Sequence, residues 1–473
     1  MPSNVPSEEF TQLPLNLPEA PVDEPAGSPA IFRPIHYLGS KLRLAPAIAN
    51  ALDDADTTRG GTVLDLFAGS GTTSFALAGH RQVIASDIQE YSRVICSALL
   101  ARRPVTEDVV SMFTTRLQTS SSLAEALRSA VEPLVEFEEM ALEAASHGEA
   151  ESICYVLEHG SLLAAERGLG SGPSDELKSR LNEVTRRLAK AGLARSPAAT
   201  AVRYFGGAYF SYRQAVELDC LAALFADAFP QELGDLFTAS LLSTASHIVN
   251  TVGKQFAQPI RPRTKHGSVK RHLLAKIQRD RQLDVHTNFL GWLGRYAAHK
   301  IPGDGHIAIR ADYREALTKF AGQYSVVYAD PPYTRDHYSR FYHVLETLAR
   351  RDNPEVARSP GSTQHELSRG LYRDDRHQSP FCIKSQVAGA FRDLFKLASG
   401  NGASMVVSYS PFESGAHPRL MQIDALVNLA HEVYPSVELE SVDGVNHSKL
   451  NHSSLNFDMP PEAEVLLVCR LTR

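Results

Sequence analysis

Seven short runs of apolar and β-branched residues constrain the fold of this 473-residue chain more than any other feature. They form two blocks, with residues 62–69 and 81–87 in the first and residues 306–312, 324–330, 403–410, 436–442 and 464–470 in the second. Helix-like segments separate most of these runs. Strands that alternate with helices imply a parallel sheet, and nearly continuous apolar runs imply a sheet covered on both faces.

A long region of helical character lies between the two blocks. Residues 120–194 are rich in Ala, Glu, Leu and Arg, with the spacing of amphipathic helices. Turn residues at 168–175 break this pattern, and Ser174 or Asp175 is suited to cap the next helix. We therefore expect one α/β domain, formed by residues 31–105 and 305–473, that is interrupted by a mostly helical insertion at 106–304.

Composition excludes several classes of protein. The first 29 residues contain seven prolines, five acidic residues and no Lys or Arg, so residues 1–30 are predicted to be a disordered tail rather than a signal peptide. The five cysteines are far apart and form no CxxC pair, so no zinc site or disulfide framework is expected. No apolar stretch approaches the roughly 18 residues of a membrane span. These features predict a cytoplasmic protein without a metal.

Residues 65–77 lead from the first predicted strand through Gly69-Ser70-Gly71 into a helix. Glycines at such a turn let the backbone pass close to a ligand at the helix N-terminus. Asp87 ends the next strand, where a carboxylate can accept hydrogen bonds from both ribose hydroxyls of a nucleoside. An ordinary tight turn followed by an exposed aspartate is the alternative.

The sequence Asp330-Pro331-Pro332-Tyr333 follows the fourth predicted strand. The two prolines have a fixed φ and no N–H, so they cannot continue a strand ladder or a helix. They form a stiff elbow that offers the Asp330 carboxylate and the Pro331 carbonyl as acceptors beside the Tyr333 ring. Acceptors next to a stacking surface suit the exocyclic amino group of a flipped base. The alternative is a turn with a structural aspartate.

Two further polar residues accompany these segments. Asp312 follows the third predicted strand at the ligand-binding edge of the sheet, although it is as well suited to be the N-cap of the following helix. Lys41, in Gly39-Ser40-Lys41, is predicted in the first turn of an apolar-periodic helix. A lysine in that turn is unfavourable with the helix dipole unless it binds an anion. A surface lysine is the alternative.

In this order, the motifs resemble those of the adenine-N6 DNA methyltransferases, in particular the Dam-like alpha arrangement. The order is Gly39-Ser40-Lys41, then Phe67-Ala68-Gly69-Ser70-Gly71, then a long insertion, then Asp330 to Tyr333. Residues 204–219 also look like a segment that such enzymes carry inside the insertion. One departure is Asp65-Leu66-Phe67, which is nearer to the motif of the beta-arranged enzymes.

The resemblance implies an α/β, Rossmann-like seven-stranded methyltransferase sheet, with the helical insertion as target-recognition region and S-adenosyl-L-methionine as cofactor. Lys41 would face the methionine carboxylate, Asp65 its ammonium, Asp87 the ribose and Asp312 the adenine amino group. The implied cofactor-binding residues are Tyr37, Lys41, Asp65, Phe67, Gly69, Gly71, Asp87 and Asp312. The implied catalytic residues are Asp330, Pro331, Pro332 and Tyr333.

One basic window contrasts with the net charge of -6: residues 253–282 contain nine Lys or Arg and one acidic residue. Such a window can neutralise phosphates, and its Pro-Arg portion is predicted to be a loop that enters or clamps a groove of DNA. A solvated helical face from Ser268 onward is the alternative for its second half. The candidate DNA contacts are Lys254, Arg261, Arg263, Lys265, Lys270, Arg271 and, as a wall of the base pocket, Tyr338.

The aromatic residues after the elbow have helical spacing. Tyr338, Phe341, Tyr342, Leu345 and Leu348 share one face of a predicted helix, which we expect to be buried. His343 and Glu346 are expected to form a pair on the surface of that helix.

The predicted function is that of a site-specific adenine-N6 DNA methyltransferase. Double-stranded DNA is the expected partner, nucleoid association the expected location, and a restriction or defence-system partner a further expectation. An RNA base methyltransferase and a DNA-binding regulator that keeps the fold as a scaffold are the alternatives.

Overall fold

A computed structural model describes residues 33–37, 41–58, 60–101, 113, 115, 121–169, 172, 174–225, 231–298, 303–332, 334–335, 338–359, 366–410, 420–441 and 464–472. The tail predicted for residues 1–30 lies outside the described residues, as do Gly39, Ser40 and Tyr333.

The seven predicted runs all form strands of one sheet. The strands are β1 (Val63–Asp65), β2 (Val83–Asp87), β3 (Ile307–Arg310), β4 (Val326–Ala329), β5 (Ser404–Tyr409), β6 (Ser436–Ser441) and β7 (Val465–Arg470). Their order is β3-β2-β1-β4-β5-β7-β6. The pairings from β3 to β5 are parallel, whereas β7 runs antiparallel to both β5 and β6. The α/β fold class is confirmed, but the sheet is mixed rather than wholly parallel.

Six helices belong to the sheet domain, and nine form the insertion. The former are α1 (Ala45–Ala55), α2 (Thr72–Ala78), α3 (Glu90–Leu100), α13 (Tyr313–Lys319), α15 (Val387–Gly400) and α16 (Ile423–His431). The latter are α4 (Ser122–Ser146), α5 (Glu151–His159), α6 (Leu162–Glu166), α7 (Asp175–Lys190), α8 (Thr200–Phe205), α9 (Tyr212–Phe225), α10 (Gln231–Ile248), α11 (Leu274–Arg281) and α12 (Val285–Ala298). Between them in space lies α14 (Tyr338–Arg350), which follows the elbow. These counts refer to the described ranges only.

Helices cover both faces of the sheet because its strands are apolar on both sides. On one face, α13, α15 and α16 bury Leu317, Leu394 and Leu426 against the strands. On the other, α1 and α2 bury Leu52 and Leu77. The carboxyl ends of β1 to β5 remain uncovered by these layers, so the segments that follow them meet at one edge.

The insertion shares a hydrophobic core with the sheet domain. One cluster of buried side chains runs from α3 and α14 into the insertion helices, and it contains Tyr91, Ile95, Leu134, Phe237 and Tyr342. Residues 204–219, which look like a family segment, are almost entirely buried there. The insertion boundaries that we predicted from the sequence stay a prediction.

The prediction that His343 and Glu346 lie on a helix surface is wrong. Their exposed fractions are 1% and 6%, because the sheet domain packs on one side of α14 and the insertion on the other. Burial lowers the pKa of His343 to about 3, and His343 Nε2 lies 3.1 Å from the Phe256 carbonyl. Burial raises the pKa of Glu346 to about 7, and its carboxylate accepts from the Tyr91 N–H.

None of the described helices is both long enough and apolar enough to cross a membrane. The five cysteines are all buried.

Candidate active site

An open cavity with about 970 Å³ of empty space lies at the carboxyl edge of the sheet. It draws on the segments after β1, β2, β3 and β4, together with the N-terminal segment before α1, the start of α14 and the irregular stretch before α15, which includes a short 3-10 helix. Of the residues singled out in the sequence, it is lined by Tyr37, Lys41, Phe67, Asp87, Asp312, Asp330, Pro331, Pro332 and Tyr338. The fold thus brings residues far apart in the sequence to one concave surface.

The glycine turn between β1 and α2 allows no side chain. Gly69 has φ +53°, and a Cβ built there would lie 2.4 Å from the Tyr37 hydroxyl. Gly71 has φ +74°, and its Cβ would lie 2.8 Å from Leu99 Cδ1. Positive φ and a close approach both demand glycine at these positions. Neither glycine lines the cavity; together they set the path of the backbone that carries Phe67 to it.

Asp87 is held by backbone donors at both carboxylate oxygens. Oδ2 accepts from the Gly69 N–H at 3.0 Å, and Oδ1 accepts from the Gln89 N–H at 2.9 Å. Burial raises the pKa of this carboxyl. These hydrogen bonds fix the orientation of the carboxylate before any ligand arrives. Asp87 lines the cavity, and both of its oxygens keep lone pairs that can accept further hydrogen bonds.

Asp65 occupies a different position from the one the resemblance implies. It is fully buried at the end of β1 and does not line the cavity. Its Oδ2 accepts from Ser74 Oγ at 2.6 Å, whereas Oδ1 is buried and has no hydrogen-bond partner among the described residues. Burial raises the pKa of Asp65 to about 7. In this arrangement Asp65 joins the end of β1 to helix α2.

Asp312 combines the two roles that the sequence left as alternatives, a helix N-cap and a residue at the ligand-binding edge of the sheet. Its side chain accepts from the Arg314 N–H at 3.0 Å as the N-cap of α13, and it also lines the cavity. Phe67 stands next to it between two aromatic rings, 6.2 Å from Tyr313 and 5.5 Å from Phe381, centre to centre. These groups give the cavity a flat apolar wall with a carboxylate at its rim.

Lys41 points at the elbow and not at open solvent. It is 5% exposed, and its Nζ lies 3.3 Å from Asp330 Oδ1 and 2.5 Å from Glu464 Oε1. Glu464 also accepts from Ser408 Oγ at 2.9 Å. The ammonium is therefore shared between two carboxylates, which differs from the expected contact with a methionine carboxylate.

Glu464 is a site residue that the sequence analysis missed. It directly precedes β7, and only the antiparallel direction of β7 brings that end to the same edge as the ends of β4 and β5. A parallel β7 would carry Glu464 to the opposite edge of the sheet. Glu464 is 1% exposed, and this burial cannot be deduced from the sequence alone.

A further part of the cavity wall was missed as well. It is formed by residues 377–380 and Cys382, which precede α15. His377 lies near Asp87 and Asp312, and burial lowers its pKa while those two carboxylates raise it. A His-Gln-Ser-Pro run carries no distinctive spacing in the sequence, so only the fold reveals its place beside the cavity.

Comparison with known families agrees with this arrangement. The family model described as D12 class N6 adenine-specific DNA methyltransferase matches residues 37–127 and 295–374. The matched segments include the glycine turn, Asp87, Asp312 and the elbow, and they flank most of the helical insertion. Over these two segments the chain is similar to that family.

Two curated relatives are similar over part of the chain. Modification methylase LlaI of Lactococcus lactis subsp. lactis is 34% identical over 144 residues, which are 30% of this chain and 20% of the relative. Type II methyltransferase M.FokI of Planomicrobium okeanokoites is 33% identical over 109 residues, which are 23% of this chain and 15% of the relative. The chain thus covers a fifth or less of the length of these relatives. No solved structure matches.

The basic window, residues 253–282, divides into side chains that have partners within the protein and side chains that are exposed. Lys254 contacts Asp280 and two backbone carbonyls, and Arg263 bonds Glu151 and Glu158. Arg261, Lys265 and Arg271 are exposed, and Lys270 is partly exposed. Residues 255–270 are largely irregular backbone, and α11 follows them.

The cavity fits S-adenosyl-L-methionine, whose use is general among methyltransferases. Asp87 and Asp312 both bring a carboxylate to the cavity, and each carboxylate accepts a backbone hydrogen bond that fixes it. Phe67 offers an apolar surface for the adenine ring. Among the described residues no group of three or more His, Cys, Asp or Glu side chains is arranged to hold a metal ion.

Proposed function

We propose that the chain transfers a methyl group from S-adenosyl-L-methionine to the N6 amino group of an adenine flipped out of double-stranded DNA. The observation that carries this proposal is that Asp330, Pro331 and Pro332 share one cavity with Asp87, Asp312 and Phe67. The residues that would bind the methyl donor and those that would bind the adenine thus line the same cavity. The family match and the modification-methylase relatives support the same reaction.

The cofactor would occupy the side of the cavity next to Phe67, Asp87 and Asp312. Bound there, S-adenosyl-L-methionine supplies an electrophilic methyl group on a sulfonium. The chain's own task on this side is orientation, because Asp87 and Asp312 are fixed by backbone hydrogen bonds before binding. Pre-oriented groups lower the entropy that must be lost on the way to the transition state.

The elbow would act on the adenine amino group. The N6 lone pair is delocalised into the ring, so the amino group is a poor nucleophile. The Asp330 carboxylate and the Pro331 carbonyl would accept its two hydrogens and favour a lone pair directed at the methyl group. The Lys41 ammonium, 3.3 Å from Asp330, holds that carboxylate in place. In this proposal Tyr338, which lines the cavity, and Tyr333 stack on the flipped base.

Transfer of tritiated methyl groups tests this proposal. Purified protein is incubated with labelled S-adenosyl-L-methionine and either duplex DNA or RNA, and Asp330→Ala and Asp330→Asn are compared with wild type. We expect label at adenine N6 in DNA and a loss of about 100-fold or more in kcat for both variants, with cofactor binding retained. Asp424→Asn, an exposed carboxylate in α16, is the matched control. Label found only in RNA supports the RNA alternative, and DNA binding without cofactor binding or methylation supports the regulator.

We further propose that the chain modifies a specific DNA sequence as part of a restriction or other defence system, since one relative is named a modification methylase and the other a Type II methyltransferase. The insertion, residues 106–304, would carry target recognition, and the protein would associate with the nucleoid in the cytoplasm. Single-molecule sequencing of DNA from expressing cells identifies the methylated sequence, with Asp330→Ala as control. Resistance of that DNA to a co-expressed nuclease tests the defence role.

A further inference from the structure

Four arginines gather beside the active-site cavity in an arrangement that the sequence analysis did not isolate. We name Arg261, Arg340, Arg369 and Arg376 the arginine cluster. Two of them stack on Tyr372: the guanidinium carbons of Arg340 and Arg376 lie 5.1 and 4.8 Å from the centre of its ring. Arg340 Nη2 also donates to the Tyr372 hydroxyl at 3.3 Å.

Arg261 lies in the irregular part of the basic window, residues 255–270, and Arg369 lies in the segment before Tyr372. Arg369 Nη2 donates to the Pro259 and Ile260 carbonyls at 3.3 and 2.8 Å, directly next to Arg261. The Tyr372 hydroxyl donates to the Ala257 carbonyl. Residues 257–260 of the basic window therefore pack against the segment that carries Arg369 and Arg376.

The cluster has no neutralising partner within the described part of the chain. None of its four guanidinium groups lies within 4.0 Å of a described carboxylate. The contrast with the neighbouring Arg373 is sharp, since Arg373 forms bidentate contacts with Asp352 and Asp375. The carboxylates that act on the cluster from farther away are Glu158, which already bonds Arg263, and the exposed Asp374.

Bringing these cations together has an energetic cost. Burial lowers the pKa of Arg369, and Arg261 lowers it further. Burial also lowers the pKa of Arg376, and Arg340 adds to that effect. Arginine nevertheless keeps its charge at any physiological pH. In addition, Arg340 Nε is buried and has no hydrogen-bond partner among the described residues. Unneutralised like charges and an unused donor are the features of a site that awaits an anion.

The cluster's position indicates which anion. Arg340 follows the cavity-lining residues Tyr338 and Ser339, and Arg376 precedes the cavity-lining residue His377. Arg376, Ser339 and His377 also line an adjoining open cleft. A nucleotide flipped into the active site carries a phosphodiester on each side of its sugar, a short distance outside the pocket.

We propose that Arg261, Arg340, Arg369 and Arg376 bind the phosphodiesters that flank the flipped nucleotide in duplex DNA. This inference rests on the proposed function. Planar guanidinium groups suit bidentate contact with phosphate oxygens, and the stacking on Tyr372 keeps two of them in a fixed orientation. The cluster would hold the deformed strand while the elbow holds the base.

Binding of a fluorescein-labelled duplex that carries the methylated sequence tests the proposal. Anisotropy titrations at several salt concentrations compare wild type with Arg340→Gln, Arg376→Gln and the double variant Arg261→Gln/Arg369→Gln. We expect each single variant to weaken binding about fivefold to tenfold and to reduce the salt slope by about one. Arg392→Gln, a partly exposed arginine on α15 that pairs with Glu432, is the matched control and should bind like wild type. Thermal melting and binding of S-adenosylhomocysteine check that the variants fold.

A neutral methylphosphonate placed on either side of the target adenine provides the second measurement. Wild type should bind this duplex more weakly than the unmodified duplex. A variant that lacks the arginine contacting that phosphate already binds weakly, so the methylphosphonate should reduce its affinity little further. Wild-type affinity and salt slopes in all cluster variants would overturn the inference while leaving the proposed function intact, provided that wild type methylates the duplex. Wild type that neither binds nor methylates the duplex overturns both.

Discussion

At the scale of single residues, the contact between Lys41 and Asp330 is the finding that most changes the interpretation of the sequence. The resemblance directs Lys41 to the methionine carboxylate, but the structure places its ammonium between Asp330 and Glu464. A buried ammonium shared by two carboxylates holds both of them, and Asp330 is the one that meets the substrate in our proposal. Glu464 is then a positioning residue that acts through Lys41.

Replacement of Glu464 by glutamine should separate these two roles for Lys41. Without the second carboxylate, the ammonium moves toward Asp330 and draws it away from the adenine amino group. We expect kcat to fall about tenfold or more while KM for S-adenosyl-L-methionine changes less than about twofold. Steady-state kinetics measure both values. Glu438→Gln, an exposed glutamate of β6, is the control. A raised KM with unchanged kcat would instead return Lys41 to the cofactor carboxylate.

The buried carboxyl group of Asp65 should make the free energy of unfolding depend on pH. Burial raises the pKa of Asp65 to about 7, above its value of about 3.9 in an unfolded chain. The folded state therefore binds more protons than the unfolded state between these values, so this group's contribution to stability falls as pH rises through that window. The free energy of unfolding of wild type should fall between about pH 5 and pH 8. We expect this fall to be about 1–3 kcal/mol smaller in Asp65→Asn. Urea unfolding at both pH values measures it, with the exposed Asp424→Asn as control. Equal pH dependence in all three proteins contradicts the prediction.

At the scale of elements, the turn between β1 and α2 combines two demands on glycine that one variant pair can separate. Gly69→Ala would meet both a positive φ and the Tyr37 hydroxyl at 2.4 Å, and it would disturb the N–H that fixes Asp87. Gly322→Ala meets a similar φ of +77° with nothing within 4 Å. Both should lose about 1 kcal/mol or more of stability. Only Gly69→Ala should weaken cofactor binding, by about tenfold or more, as isothermal titration with S-adenosylhomocysteine would measure. Equal cofactor affinity in the two variants would contradict this.

The elements also show what local sequence can predict and what it cannot. All seven strands follow from short apolar runs, of which the first four end at Gly or Asp, because apolar and β-branched residues in a short run leave a local pattern. The direction of β7 leaves none, since it depends on which neighbours the strand meets after a long connection. Glu464 was missed for that reason. His343 and Glu346 were misplaced because periodicity on α14 detects one buried face, whereas the insertion buries a second.

At the scale of the whole molecule, the insertion and the sheet domain are joined more closely than their separation in the sequence suggests. The boundaries predicted from the sequence treat residues 106–304 as an insertion that interrupts the sheet domain. The structure instead has one cluster of buried side chains that passes from α3 and α14 into α4, α9 and α10. Burial of Glu138 with Arg281 and of Asp219 with Arg351 adds ionic contacts within and beside it. Such a shared core favours cooperative unfolding.

The single tryptophan allows this cooperativity to be tested. Trp292 lies on α12 in the insertion and packs against the shared core, so its fluorescence reports the unfolding of that region. Far-UV circular dichroism reports all helices together. Because the core is continuous, we expect the two probes to give coincident urea transitions. Ile84→Val in β2, on the sheet face away from the shared core, should lower stability by about 1 kcal/mol and shift both curves equally. Leu134→Ala in α4 should also shift both. If Ile84→Val shifts only the dichroism curve and leaves the Trp292 transition in place, the insertion unfolds as a separate unit.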